Sequence, residues 1–296
     1  MWLSTEPIMP DADFSADDLA VVARLRRRFH GALLGLALGE ALAAPAQYSR
    51  RGTFAPIKDL LGGGPFDLPP GAWADDTALA LHLGHSLLAR GGCDPADQLA
   101  RYRRWQGAGE GSATGDCLGI SAGTSRSLVD GVPSPLIPDG PEVLARVAPL
   151  ALWHYADEPA LLRDAATMAG VTTHDAATWS ATAEFAQLML RTLRGAPMAA
   201  SPHDPAGDDC AARRMLAQVQ AAVRGAQNWK DAVLRAVNEG GEADVRAAAA
   251  GQWAGALFGA ESLPSAWLER LVQREAIIAL ADALLTEVLV RLDAAG

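Results

Sequence analysis

The chain is short of aromatic residues, of cysteine and of positive charge, and each shortage excludes something. Aromatics are 6% of its 296 residues while 50% are hydrophobic, so the core must come from small aliphatic side chains. That suits closely packed helices better than a β-sandwich. No stretch sustains the alternation of a half-buried strand, and the fold class expected is all-α. Cys93, Cys117 and Cys210 lie far apart and match neither a disulfide framework nor a zinc spacing. They suit a reducing, cytoplasmic compartment. The formal net charge of -10 argues against a nucleic-acid or anionic-membrane partner. The apolar runs fall short of the ~20 residues that cross a bilayer. The opening MWLSTEPIMPDADFS lacks the basic and apolar regions of a signal peptide.

Helical periodicity is what the chain does contain. Ser15-Ala16-Asp17-Asp18 reads as a helix start, and Ala20, Val21, Leu25, Phe29 and Leu33 follow at helical spacing. Gly31, Gly35 and Gly39 recur every four residues on that helix, a face that a neighbour can approach closely. Pro45 ends it. Further helices are expected over 77–90, 94–106, 116–130, 142–156, 159–170, 175–194, 208–225, 229–238, 244–258 and 265–293. Residues 49–72 form a long loop, and loops of that length inside a domain are usually functional. Its Gly62-Gly63-Gly64 can bring amides to an anion or simply make a turn.

Two short acidic segments stand out: Trp73-Ala74-Asp75-Asp76-Thr77 and Gly240-Gly241-Glu242-Ala243-Asp244. Neighbouring carboxylates repel, so a fold that gathers them usually supplies a cation. One reading is a Mg²⁺-like site with one or two ions. The other is a pair of acidic helix caps, Asp75 or Asp76 on one helix and Asp244 on the next. His82 and His85 have no third ligand nearby and read as ordinary helix residues. His174-Asp175 reads as a hydrogen-bonded loop pair and Cys117 as a structural thiol. The tryptophans read as core, with Trp73, beside the acids, the one to watch.

Several segments together resemble the ADP-ribosylglycohydrolases of the dinitrogenase-reductase-activating type: GALLGLALGEALAAP (31–45), GAWADDTALAL (71–81), RYRRWQGAGEGSATGDCLGI (101–120), RVAPLAL (146–152), TTHDAA (172–177) and AVNEGGEADVRAAAAGQWAGALFG (236–259). The resemblance implies a compact, single-domain helical fold over 29–296 with a central cleft, preceded by a partly flexible extension over 1–28. It implies a Mg²⁺ or Mn²⁺ site at Asp75, Asp76, Thr77, Glu242 and Asp244, with Asp75 and Asp76 catalytic. It places Glu40, Ser112, Thr114, Gly115, His174, Arg213 and Arg214 around ADP-ribose or an ADP-ribosylated protein.

The motifs also depart from the family pattern. Ala74 and Val245 stand where oxygen-bearing side chains are usual, and Glu242 replaces an aspartate. Gly119 takes the place of an expected acid. Pro141-Glu142-Val143 replaces an Asn-Gly-Ser type of loop, where Glu142 would repel a diphosphate. These changes favour one ion over two, or none. They also favour a protein with weak or no hydrolase activity that binds a ligand or a protein partner, the partner through the N-terminal extension. The alternative is an active Mg²⁺- or Mn²⁺-dependent hydrolase removing ADP-ribose from modified side chains.

Overall fold

The computed structural model describes residues 16–135, 137, 140–197 and 209–294. Residues 1–15 of the expected 1–28 extension therefore lie outside the described residues. Helix α1 (Ala16–Ala43) runs unbroken across the expected boundary at residues 28 and 29. A 3₁₀ turn carrying Pro45 follows it, and the 49–72 loop leads to α2 (Asp75–Arg90). Then come α3 (Pro95–Ala108), α4 (Ala122–Asp130), α5 (Val147–Trp153), α6 (Glu158–Ala169) and α7 (Ala176–Leu193). The chain closes with α8 (Ala211–Val223), α9 (Trp229–Val237), α10 (Ala243–Phe258), α11 (Ser265–Leu268) and α12 (Arg274–Asp293). Among the described residues the only β-pairing is two isolated bridges, so the all-α expectation holds.

The most extensive helix contact is between α1 and α10. A Cβ at Gly31 would come within 2.2 Å of the Gly255 carbonyl oxygen, at Gly35 within 2.3 Å of that of Gly251, and at Gly39 within 2.2 Å of that of Ala247. The partner numbers fall as the α1 numbers rise, so the helices run antiparallel, backbone against backbone. The four-residue spacing of small residues is what allows this approach, closer than the usual 8–10 Å between helix axes. α10 is buried on every side from Ala243 to Ala256, the mark of a central helix. Helices α7, α8 and α9 and the 141–146 turn pack around it.

By length and composition Asp18–Ala46 would suffice to cross a bilayer, more than its interrupted apolar runs suggested. Yet 89% of its most apolar window is buried within the protein, where α10 and α12 cover it.

Three expected helices are cut short, each for a local reason. Residues 116–121 stay irregular because Gly115 and Gly119 take positive φ, and Ser121 then caps α4 through the Thr124 N–H. Pro141–Arg146 winds as a 3₁₀ turn before α5. The expected 265–293 helix breaks at Gln273, whose φ is 58°. Just before it, the Val272 N–H donates to the Gly71 carbonyl and the Val272 carbonyl accepts the Trp73 indole N–H.

Candidate functional site

The antiparallel pairing of α1 and α10 sets the C-terminal end of one beside the N-terminal end of the other. Glu40 on α1 and Asp244 in the first turn of α10 are thereby brought together. Glu40 then reaches α2: its Oε1 accepts the Asp76 N–H at 3.1 Å and its Oε2 accepts the Thr77 N–H at 2.9 Å. The N-cap position of α2 is Ala74, which has no oxygen to offer. A carboxylate from another helix thus satisfies amides that a local Ser or Asp normally would. Glu40, expected at the ligand, acts in the structure as a cap for α2. Asp75 and Asp76, released from capping, occupy the first turn inside α2. On α10 the N-cap position is Glu242, with no side-chain cap bond, so Asp244 does not cap its helix either.

Glu40, Asp75, Asp76 and Asp244 are all buried, at 3, 5, 2 and 7% exposure. Burial pushes the carboxyls of Asp75 and Asp76 well above the usual range, and Glu40, Asp244 and Glu142 push both further. Burial raises Asp244 to about 6 and Glu40 to about 7, the latter against the hydrogen bonds from Thr77. Asp76 Oδ2 and Asp244 Oδ1 are buried without a hydrogen-bond partner. The other oxygen of Asp244 accepts from the Gln47 amide. Buried, oxygen-only and incompletely satisfied, this donor set fits a hard divalent cation by its chemistry. Among the described residues, however, no three His, Cys, Asp or Glu side chains are grouped so that they could hold a metal ion.

The raised carboxyl of Glu40 has a pH signature. A native state that holds the extra proton gains stability that is complete below the unfolded value near 4.5 and is lost as the pH climbs through 7. His82, His85 and His154, pushed down by burial, act in the opposite sense, so the test must be a difference. Glu40→Gln cannot ionise, and in chelator its melting temperature should rise relative to wild type between about pH 5 and about pH 8. Parallel melting curves would show that Glu40 does not titrate in that window.

The rim is stitched together by backbone. The Tyr48 N–H donates to the Gly241 carbonyl at 2.7 Å, and the Gly241 N–H to the Ser49 carbonyl at 2.7 Å. Arg246 fixes the same turn through the Gly240 carbonyl at 2.8 Å. Tyr48 sits in the left-handed region at φ 60° and the residue is 59% exposed. Its hydroxyl is pushed up to about 12 by partial burial and by Asp244, Asp75 and Asp76. Opposite lies the 109–120 loop. A Cβ at Gly119 would strike Asp75 Oδ1 at 2.1 Å, so the glycine found there in place of an acid leaves room for Asp75. Cys117 borders Asp75 as well. Burial and that charge push its thiol up to about 11, which keeps it protonated and unsuited to nucleophilic attack.

The remaining expected residues spread over the rim and beyond. Thr77 is fully buried beneath the cluster. Glu242 is exposed and faces Arg246 and Arg214. Its charge also acts on Asp244. Ser112 is buried, its hydroxyl bonded to the Gly109 carbonyl, while Thr114 and Gly115 are exposed on the same loop. Arg213 and Arg214 lie in the first turn of α8. His174 is exposed, and Asp175 caps α7 through Ala177 and Thr178. Trp73 is core, 1% exposed. Gln47 and Tyr48 were not foreseen as site residues.

The profile of the family described as ADP-ribosylglycohydrolase matches residues 22–219 and 199–293. The chain is 31% identical to the ADP-ribosylarginine hydrolase Tri1 of Serratia proteamaculans (strain 568), over 96% of this chain and 83% of that protein. It is 29% identical to the ADP-ribosyl-[dinitrogen reductase] glycohydrolase of Rhodospirillum rubrum, over 83% of this chain and 91% of that protein. A solved chain titled "ADP-ribosylglycohydrolase-related protein complex" superposes with a TM-score of 0.77 at 35% identity. That match covers 90% of this chain and 99% of the other.

Proposed function

Because the chain belongs to the ADP-ribosylglycohydrolase family, we propose that it is a cation-dependent hydrolase that frees ADP-ribose from a modified arginine of a protein. The observation that carries this reading is the convergence of Glu40, Asp75, Asp76 and Asp244, with Asp76 Oδ2 and Asp244 Oδ1 buried and unpartnered. Four buried acids held together for stability alone would be unfavourable, since each raises the cost of ionising the others. Two relatives named ADP-ribosylarginine hydrolase support arginine as the acceptor.

In this reading Asp75, Asp76 and Asp244 hold Mg²⁺ or Mn²⁺. A bound ion would supply positive charge there, the chemistry that polarises a hydroxyl or a water. Glu40 keeps the first turn of α2, and so the two aspartates, in place. Tyr48 and the 109–120 loop border the site where the ligand enters. The oxygen of water bonds to the anomeric carbon and the water gives up a proton to the site, while the bond to the guanidine nitrogen breaks and that nitrogen leaves with a proton from the site, so no proton is gained or lost overall.

One observation favours a second reading, a binding protein without hydrolysis. The Gln47 amide already occupies one oxygen of Asp244, and Ala74 and Val245 bring no oxygen. Incubation with an ADP-ribosylarginine peptide separates the two. Release of ADP-ribose in Mg²⁺ or Mn²⁺ that stops in chelator is expected. Saturable ADP-ribose binding without release in either ion would favour the second reading.

A further inference from the structure

The 109–120 loop touches Asp75 at one end and is closed on itself at the other. A Cβ at Gly109 would lie 1.8 Å from the Gly115 carbonyl oxygen. The Ser112 N–H and hydroxyl both donate to the Gly109 carbonyl, at 3.0 and 2.8 Å. Residues 109–115 are therefore one compact turn, and whatever fixes part of it fixes the rest. Further on, the Cβ position of Gly119 is 2.1 Å from Asp75 Oδ1. Ala113 and Leu118 pack on the small cluster of Ala44, Leu68, Ala72 and Ala74 that leads into α2.

Two side chains hold this turn, one from α2 and one from the break before α12. His82 is buried about two turns beyond Asp75 on the same face of α2, and its Nε2 meets the Glu110 carbonyl at 2.8 Å. A carbonyl only accepts, so Nε2 carries the proton. A Cβ at Gly111 would come within 3.2 Å of that nitrogen, so a glycine there leaves the ring its place.

The second is Gln273, whose amide donates to the Ser112 carbonyl at 2.8 Å. Its φ is 58°, a left-handed conformation that strains a residue with a Cβ and that glycine adopts freely. Glycine would suit this backbone better. Glutamine keeps the strain and adds a donor that reaches the loop. The adjacent Val272 accepts the Trp73 indole N–H and donates to the Gly71 carbonyl. One dipeptide thus holds both the entry to α2 and the loop that faces Asp75.

We propose that Gln273 is a positioning residue for the ligand, pinning the 109–115 turn against His82 and so setting the wall that faces Asp75. Ser112, expected at the ligand, then belongs to the anchor. The exposed Thr114 and Gly115 are the part of the turn left to meet ADP-ribose. The proposal rests on the ADP-ribose reading above.

The test uses two variants of the full chain with opposite effects on the backbone. Gln273→Gly relieves the strain, Gln273→Glu keeps it, and both remove the donor. Hydrogen exchange of the 109–116 amides should quicken in both. KM for the ADP-ribosylarginine peptide and Kd for ADP-ribose by calorimetry should each rise about threefold to tenfold, the loss of one hydrogen bond. The kcat should stay within about twofold, because the bond holds ligand and transition state alike. A rise in one variant alone would overturn the proposal, since the amide is missing from both. Unchanged KM and Kd in both would overturn it too, whatever the exchange rates. If the wild type binds ADP-ribose without releasing it from the peptide, the hydrolase reading fails and Kd alone decides the role of Gln273. Absence of ADP-ribose binding by the wild type would overturn both.

Discussion

Asp76→Asn is expected to lower ADP-ribosyl hydrolysis by at least about a hundredfold, the usual cost of removing one preorganised charge from a reacting centre. The fold should survive. Two opposed effects set the stability of this variant. A negative charge in the first turn of a helix gains about 0.3–1 kcal/mol from the helix dipole, and the asparagine gives that up. Against it, Asp76 is 2% exposed, has one oxygen without a partner and sits among Asp75, Glu40 and Asp244. Relief of that burial and repulsion outweighs the dipole, so in chelator the variant should melt no lower than wild type. Adding Mg²⁺ should raise the melting temperature of wild type and leave the variant unmoved. Paired melting curves with and without Mg²⁺, alongside the peptide assay, check this. Full activity in Asp76→Asn would sink the proposed site, and a large drop in melting temperature in chelator would return Asp76 to a structural role.

Gly255→Ala is the expected structural catastrophe. The added Cβ would lie 1.8 Å from the Gly31 carbonyl oxygen and 2.3 Å from its carbon. Both are backbone atoms of a long, buried helix, so no side chain can swing away. Either α1 and α10 separate, exposing the faces they bury, or one bends. Overpacking of this kind belongs to the severe tail of point mutations, about 4 kcal/mol or more. Set against a total of about 5–15 kcal/mol for a typical domain, that means insoluble protein or a melting temperature lower by about 10 °C. Gly107→Ala is the matched control. It lies on α3 with nothing within 4 Å of the added atom, and it should be neutral or stabilising by up to about 1 kcal/mol. Thermal denaturation of the two variants measures the difference. Equal melting temperatures would mean that the two helices are not in backbone contact.

The glycine face was legible in the sequence because its meaning is local. A four-residue period of small residues on one helix has one obvious use, and α10 supplies it. The two acidic segments were legible for the same reason. What the sequence could not convey is which atoms satisfy which across the fold. Glu40 lies 36 residues from the amide of Asp76 that it caps, and no spacing rule connects them. Ala74 leaves the N-cap position of α2 without an oxygen, and the carboxylate that serves those amides comes from another helix. Gly119 looked like a lost acid and leaves space for Asp75. Tyr48 carried no signal, since its importance comes from backbone bonds to a turn nearly two hundred residues away.

The small-residue face between α1 and α10 has a further property: it does not by itself define one alignment. Sliding α1 by four residues, about 6 Å, would set Gly31 against Gly251, Gly35 against Ala247 and Gly39 against Ala243, another arrangement of glycine and alanine throughout. Shape alone leaves the two alignments close to degenerate. Polar groups break the tie. The Trp229 indole N–H on the Gly251 carbonyl holds α10 against α9, and Arg26 and His30 hold α1 to Asp282 on α12. At the far end, Glu40 meets the two amides of α2 only in the observed alignment. In the slid one it would be buried with nothing to accept. A carboxyl that costs energy to bury thus acts as an indexing pin, bearing both on the chemistry of the site and on the uniqueness of the native state.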